Sequence, residues 1–196
     1  EFGLDYGKRA RSERDGVFPL GYDSEGKSAI NLKEGEFDHL NINPLKINIW
    51  FVGTFGRTYD LSPVIDVAKR IEITHPEVNF IFTGDGEKMS LWKNEAINTK
   101  NIIFTGWVGK RELHYISLHS NIGLMAYSKG APQGLPNKVF EYMASGLPIL
   151  SSLQSETKVL LEKEEIGETY LPSNSNDLFL KMNKIITNLV LLKKMS

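Results

Sequence analysis

Residues 131–150 read APQGLPNKVFEYMASGLPIL and set a bare backbone, a lysine and a carboxylate where a helix begins. Gln133 and Gly134 lead into Pro136, then Asn137 and Lys138 open a helix that carries Glu141. The first backbone N–H groups of a helix have no partner within it, so those around Leu135, Asn137 and Lys138 favour an anion. Lys138 adds charge. Glu141 lies one turn after Asn137 on the same side, where a carboxylate accepts hydrogen bonds from a vicinal diol such as ribose. A wheel drawn from Asn137 places Val139, Phe140, Met143 and Ala144 on the buried stripe, with Glu141 off it. The plainer alternative is that Glu141 only complements the helix dipole, worth under about 1 kcal/mol. A diphosphate on the helix start with a ribose on Glu141 uses all these features together.

Three other loops carry smaller signals. In GTFGRTYD (53–60), Gly53 and Gly56 let backbone approach a ligand and Arg57 offers a two-pronged phosphate contact, although a glycine turn with a solvated arginine reads equally well. In TGDGEKM (83–89), Gly84 and Gly86 have Gly-x-Gly spacing, but Met89 stands where a dinucleotide fingerprint needs a third small residue. That argues against a nicotinamide cofactor and leaves Asp85 as a turn and cap residue. In TGWVGKRE (105–112), Trp107 and Val108 give flat apolar surface suited to a nucleobase, or Trp107 simply covers the sheet edge. The four histidines include no pair at helical metal-ligand spacing, since His114 and His119 are five apart. The chain has no Asp-x-Asp pair and no Gly-x-Ser-x-Gly elbow, so neither metal nor triad chemistry is indicated.

These loops need elements to hold them. KINIWFVG (46–53) is a near-continuous apolar strand, as expected where both faces are buried. A helix follows over LSPVIDVAKRIEITHP, with Pro63 in its first turn and Val64, Ile65, Ala68 and Ile71 on one stripe. VNFIFTG, NIIFTG, NIGLMAY and LPILSS read as further strands, and GETYLP as a short edge strand. Between and after them, EKMSLWKNEAI, KRELHYISLHS, NKVFEYMASG, ETKVLLEKE and SNDLFLKMNKIITNLVLLKKM read as helices. Strict alternation predicts an α/β, Rossmann-like parallel sheet with helices on both faces, whose ligands bind where strands end. Residues 1–44 are expected to be linker and peripheral elements, including a brief strand-like DGVFPLGYD (15–23), and 45–196 the ligand-binding domain.

The totals agree with one such domain. The 196 residues carry a formal net charge of -1 and are 41% hydrophobic, enough for one core and without the basic excess of a nucleic-acid binder. There is no cysteine and no glycosylation sequon, which suits a reducing cytoplasm. IITNLVLL is too short to span a membrane, and the opening EFGLDYGKRARSERDG lacks the apolar core of a signal peptide. The start looks like the middle of a longer protein.

Residues 45–192 resemble the C-terminal, donor-binding half of a GT-B-fold glycosyltransferase. The likeness is to the retaining group 1 family of bacterial capsule and lipopolysaccharide assembly, and rests on FVGTFGR, FIFTGDGE, NIIFTGWV and QGLPNKVFEYMASGLPIL in order. That family's signature is two glutamates separated by seven residues. Glu141 matches the second, on the ribose, whereas Gln133 stands at the first, which contacts the donor sugar. The family also pairs a loop arginine with a lysine on the phosphates; here Thr58 and Tyr59 follow Arg57, leaving Lys138 as the substitute. The resemblance implies that Gln133, Glu141 and Arg57 take part in transfer. It implies donor contacts from Gly53, Gly56, Arg57, Gly84, Trp107, Val108, Gln133, Gly134, Leu135, Asn137, Lys138 and Glu141. Arg57, the helix start and the Gly134–Leu135 backbone would stabilise the departing diphosphate without a metal. No cofactor is implied; a nucleotide-diphospho-sugar, with UDP or GDP expected, is the co-substrate. The implied partners are a glycan or lipid-linked acceptor and the protein's own N-terminal domain, which this chain lacks and without which transfer is not expected. The implied place is the cytoplasm, with peripheral association at the inner membrane face. Two other readings stay open: a non-catalytic nucleotide-sugar-binding module and a GT-B-fold sugar-nucleotide epimerase.

Overall fold

A computed structural model describes residues 35–187. DGVFPLGYD and the end of the final helix, beyond Thr187, lie outside the described residues. Six parallel strands run in the order β3-β2-β1-β4-β5-β6: β1 (Ile47–Val52), β2 (Val78–Thr83), β3 (Ile102–Gly106), β4 (Ile122–Met125), β5 (Ile149–Ser151) and β6 (Gly167–Thr169). The helices are α1 (Ser62–Thr74), α2 (Met89–Glu95), α3 (Lys110–Leu118), α4 (Asn137–Met143), α5 (Glu156–Lys163) and α6 (Ser175–Thr187). This is the Rossmann-like α/β sheet that the alternation predicts. Among the described residues, no helix is long and apolar enough to cross a membrane.

Alternate residues of the apolar strands feed two cores, one on each face of the sheet. Ile49, Phe51, Phe80 and Phe82 pack with Val64, Ile65, Ala68 and Ile71 of α1, Trp92 of α2 and Leu178, Met182 and Ile185 of α6. Trp50, Ile81, Met125 and Ile149 face the other way, against Ile116 of α3, Val139 and Tyr142 of α4 and Leu161 of α5. Phe37, Leu40 and Ile42, all ahead of Leu45, are buried in this second core beside a single 3-10 turn (Asp38–Leu40).

The chain leaves β1 toward β2 and β3, then returns to β4 on the other side of β1. Strand order therefore reverses between β1 and β4, and the two strands diverge there into a crevice at their carboxyl ends. Helix α4 lies over the crevice because of Tyr142. Its ring is fully buried, and its hydroxyl donates to the carbonyls of Trp50 on β1 (3.0 Å) and Leu124 on β4 (3.1 Å). Gly123 makes room, since a Cβ there would lie 2.5 Å from the Tyr142 ring.

Candidate functional site

The crevice holds a cleft of about 350 Å³. Val52 and Gly53 come from the end of β1, Tyr59 from the loop before α1, and Tyr127 from just beyond β4. Pro136, Asn137, Lys138 and Glu141 come from the entry and one face of α4. The two loop walls are stitched together. Asp60 N–H donates to the Ala126 carbonyl (3.0 Å) and Ser128 N–H to that of Thr58 (2.9 Å), while the Ser128 hydroxyl donates to that of Arg57 (2.9 Å). The Tyr59 and Tyr127 rings meet at 4.8 Å between centroids.

Lys138 is the most unusual group here, with only 8% of it exposed. Its Nζ sits 4.5 Å from the centre of the Phe51 ring and 4.4 Å from that of Tyr59, and donates to the Tyr59 hydroxyl at 3.3 Å. Burial pulls the amine down to about 7, more than the attraction of Glu141 raises it. Tyr127 moves the other way, its phenol pushed well up by burial and then by its bond to Tyr59, so it stays neutral. Glu141 is half-buried, and among the described residues its carboxylate has neither a hydrogen-bond nor an ion-pair partner. Among the described residues no side chain caps α4, whose first residue follows an extended Pro136. The cleft thus joins an unengaged carboxylate, an enclosed lysine and an open helix start.

The face of α4 differs from the expected stripe. Lys138, Val139 and Tyr142 are buried, whereas Met143 is 41% exposed and Ala144 is also exposed. Ala144 is already the C-cap, and the two strand carbonyls that Tyr142 reaches rotate the helix toward its 138–142 edge. That rotation sends the Lys138 side chain into the cleft.

The remaining sequence-derived residues spread around this centre. Gly53 lines the cleft, and Gly84, with φ +130°, packs so closely that a Cβ on it would lie 1.9 Å from the Gly53 carbonyl oxygen. Gly56 faces open space. The Arg57 side chain is 93% exposed and lies 3.7 Å from Glu87, the geometry of a solvated turn. Trp107 is 84% exposed beyond β3, two strands from the crevice, so it does not cover the sheet edge; Val108 packs against the second core. Gln133 and Gly134 are tied to the start of α5. Ser155 Oγ and Thr157 Oγ1 donate to the Gly134 carbonyl at 2.8 and 2.6 Å, and Thr157 N–H adds a third bond at 3.1 Å. The Gln133 Oε1 is enclosed without a hydrogen-bond partner among the described residues. Leu135 packs against the second core. Asn137 and Glu141 share the cleft, as their spacing predicts. Sequence reasoning missed Val52, Tyr59, Tyr127 and Pro136 as walls; the signal available was a tyrosine two positions past β4 and another three positions past the Gly53–Gly56 turn.

A larger groove of about 460 Å³ lies at the far edge, by α5, β6 and α6. Glu162, Glu165, Glu168 and Asp177 outnumber Lys158 and Lys181 on its walls, a poor balance for an anionic ligand.

The sequence model of the family described as "Glycosyl transferases group 1" matches residues 33–196. No curated protein matches the chain. Among solved structures, the fold is similar to the C-terminal domain of the group 1 family protein LpcC from Francisella tularensis. That likeness has a TM-score of 0.70 at 17% identity over 89% of this chain and 92% of that one. WaaG, a glycosyltransferase involved in lipopolysaccharide biosynthesis, gives 0.69 at 14% identity, over 90% of this chain and 48% of WaaG. HepE from Anabaena, solved with UDP and glucose, gives 0.70 at 14% identity, over 89% of this chain and 48% of HepE. The chain therefore spans most of an isolated C-terminal domain and about half of the longer proteins. With a family match across most of its length and the fold of these C-terminal domains, the chain belongs to the group 1 glycosyltransferases as a GT-B C-terminal domain.

Proposed function

We propose that the β1/β4 cleft binds a nucleotide-diphospho-sugar for transfer of its sugar to a glycan or lipid-linked acceptor, with retention and without a metal. The observation that carries this is the convergence of Lys138 and Glu141 in one cleft at the point where strand order reverses. Glu141 accepts the ribose diol, and Lys138 with the α4 start receives the diphosphate. In transfer, the acceptor oxygen bonds to the anomeric carbon as the bond to the β-phosphate oxygen breaks, and the electron pair leaves on the diphosphate. Positive groups aimed at that developing charge lower the barrier. Arg57, two residues before the cleft wall Tyr59 and paired at the surface with Glu87, is the further cation proposed to meet a phosphate. The acceptor and any base that takes its proton belong to the protein's N-terminal half.

The likeness to WaaG, a glycosyltransferase involved in lipopolysaccharide biosynthesis, supports a place in bacterial surface-glycan assembly, and the same proposal puts the protein in the cytoplasm at the inner membrane face. HepE's complex with UDP supports UDP as the first donor nucleotide to test, with GDP beside it. A second reading, a nucleotide-sugar-binding module without catalysis, is favoured by Gln133, whose amide stands where the family carries a carboxylate. The experiment is a calorimetric series of UDP, GDP and their sugars against this chain, with and without chelator, followed by transfer assays on the longer protein. Binding without any transfer by the longer protein selects the module; no binding of any nucleotide refutes both.

A further inference from the structure

Lys138 is a buried amine beside which the ring faces attract an ammonium, yet among the described residues little else replaces the water and counter-charge that ion would lose. The ring faces of Phe51 and Tyr59 stand 4.5 and 4.4 Å from Nζ, and that of Tyr127 stands 5.9 Å away. Of the three protons an ammonium would carry, one meets the Tyr59 hydroxyl, at a long 3.3 Å. Gly53 closes the remaining side, for a Cβ built there would lie 2.9 Å from Nζ.

The titratable groups that face it are few. From α4 comes Glu141, from the loop before α1 comes Tyr59, and from the end of β4 comes Tyr127. Burial keeps Tyr127 neutral. Among the described residues Glu141 is thus the one anion facing the amine, and it does not reach ion-pair distance. The ring faces and the Glu141 charge favour the ammonium, but burial without a close counter-ion outweighs them and brings Lys138 down to about 7. A diphosphate entering the same cleft would supply the missing negative charge beside Nζ and reverse that preference.

Resting on the reading of this cleft as a diphosphate site, we propose that Lys138 is a proton-loaded ligand: the empty cleft holds its neutral amine above neutral pH, and the diphosphate binds together with one proton that lands on Nζ. The step is balanced. Solvent supplies the proton, the amine lone pair takes it, and the ammonium meets a phosphate oxygen. By linkage, affinity then falls as pH rises from about 7 toward the higher pKa of the complex, by up to about tenfold per unit. The same coupling lets the site release its charge to solvent when the nucleotide leaves.

The test has two readouts on the whole chain. In the first, the lysine side chains carry a 13C label at Cε and the ligand-free protein is titrated by NMR. One lysine resonance is expected to titrate near pH 7 and to be missing from Lys138→Arg. In the second, calorimetry at pH 8 in buffers of different ionisation enthalpy measures the binding of UDP, GDP or pyrophosphate and the proton uptake that goes with it. At that pH the phosphates of UDP and GDP are deprotonated, so the proton count is read from these two, while pyrophosphate, which keeps its last proton, serves for affinity alone. About 0.9 proton per bound diphosphate is expected for the native chain, and close to none for Lys138→Arg, whose guanidinium is always charged. If every lysine titrates above pH 9, the proposal is overturned whatever the nucleotide does. Diphosphate binding without proton uptake overturns it too, while leaving the donor-site reading intact. If a lysine titrates near pH 7 but none of the three ligands binds, the donor-site reading itself falls, and the proposal with it.

Discussion

Replacing Gly123 by alanine tests whether α4 is placed by the Tyr142 contact. The added Cβ would sit 2.5 Å from the Tyr142 ring, well inside contact distance. Tyr142 is fully enclosed between β1, β4 and the second core, so its ring has no free direction. The helix must lift, or the ring must leave its two carbonyl partners on Trp50 and Leu124. Overpacking of this kind costs about 1–3 kcal/mol, and each lost hydrogen bond adds about 1 kcal/mol. The expected loss in unfolding free energy is therefore about 2–5 kcal/mol. Lifting α4 also displaces Lys138 and Glu141 together, so nucleotide affinity should fall in parallel although Gly123 touches no ligand. Tyr142→Phe removes only the hydroxyl and should cost about 1–2 kcal/mol. Urea unfolding monitored by circular dichroism gives both numbers, and Gly123→Ala combined with Tyr142→Leu completes a double-mutant cycle. Because the smaller side chain relieves the clash, the pair should be non-additive, with the double mutant less destabilised than the sum. A Gly123→Ala protein within 0.5 kcal/mol of the native one, or a strictly additive cycle, would show that α4 does not depend on this contact.

Glu141→Ala should weaken nucleoside diphosphate binding by roughly 1.5–3 kcal/mol, as expected for bonds to a charged group, yet leave pyrophosphate nearly unchanged; equal calorimetric affinities for UDP would remove the ribose assignment. Arg57→Ala should leave thermal stability unchanged, since its pair with Glu87 is exposed, and should lower affinity for the diphosphate more than for the nucleoside. Equal losses for the two ligands would return Arg57 to its role as a solvated turn residue. Gln133→Glu brings a carboxylate to the enclosed Oε1 position, where burial favours its neutral form and raises its pKa above the unfolded value. The loss, about 1–3 kcal/mol by melting, should therefore be full at pH 7.5 and fade toward pH 4, and a loss independent of pH would rule out burial of charge as its cause.

The sheet was legible because its strands are apolar on both faces and its helices carry one apolar stripe, two periods that the sequence displays directly. Phe37, Leu40 and Ile42 were not, because a 3-10 turn followed by irregular chain shows neither period. The site was legible where chemistry depends on neighbours in sequence. Asn137, Lys138 and Glu141 sit on one short helix, and the meeting of Asn137 and Glu141 in one cleft follows from helical spacing. What surrounds them comes from other strands. Tyr59 and Tyr127 are 68 residues apart and meet only because β1 and β4 are adjacent in the sheet. Their rings turn Lys138 from an ordinary surface charge into an enclosed amine, and no count of charges in the sequence shows that. The helix face went wrong for the same reason. A hydrophobicity wheel ranks Met143 above Lys138 as a core residue, yet Tyr142 is drawn to two strand carbonyls through the gap at Gly123, and Lys138 follows it inward. Long-range packing thus decides the electrostatics of the site, while local sequence decides only which groups are present to be tuned.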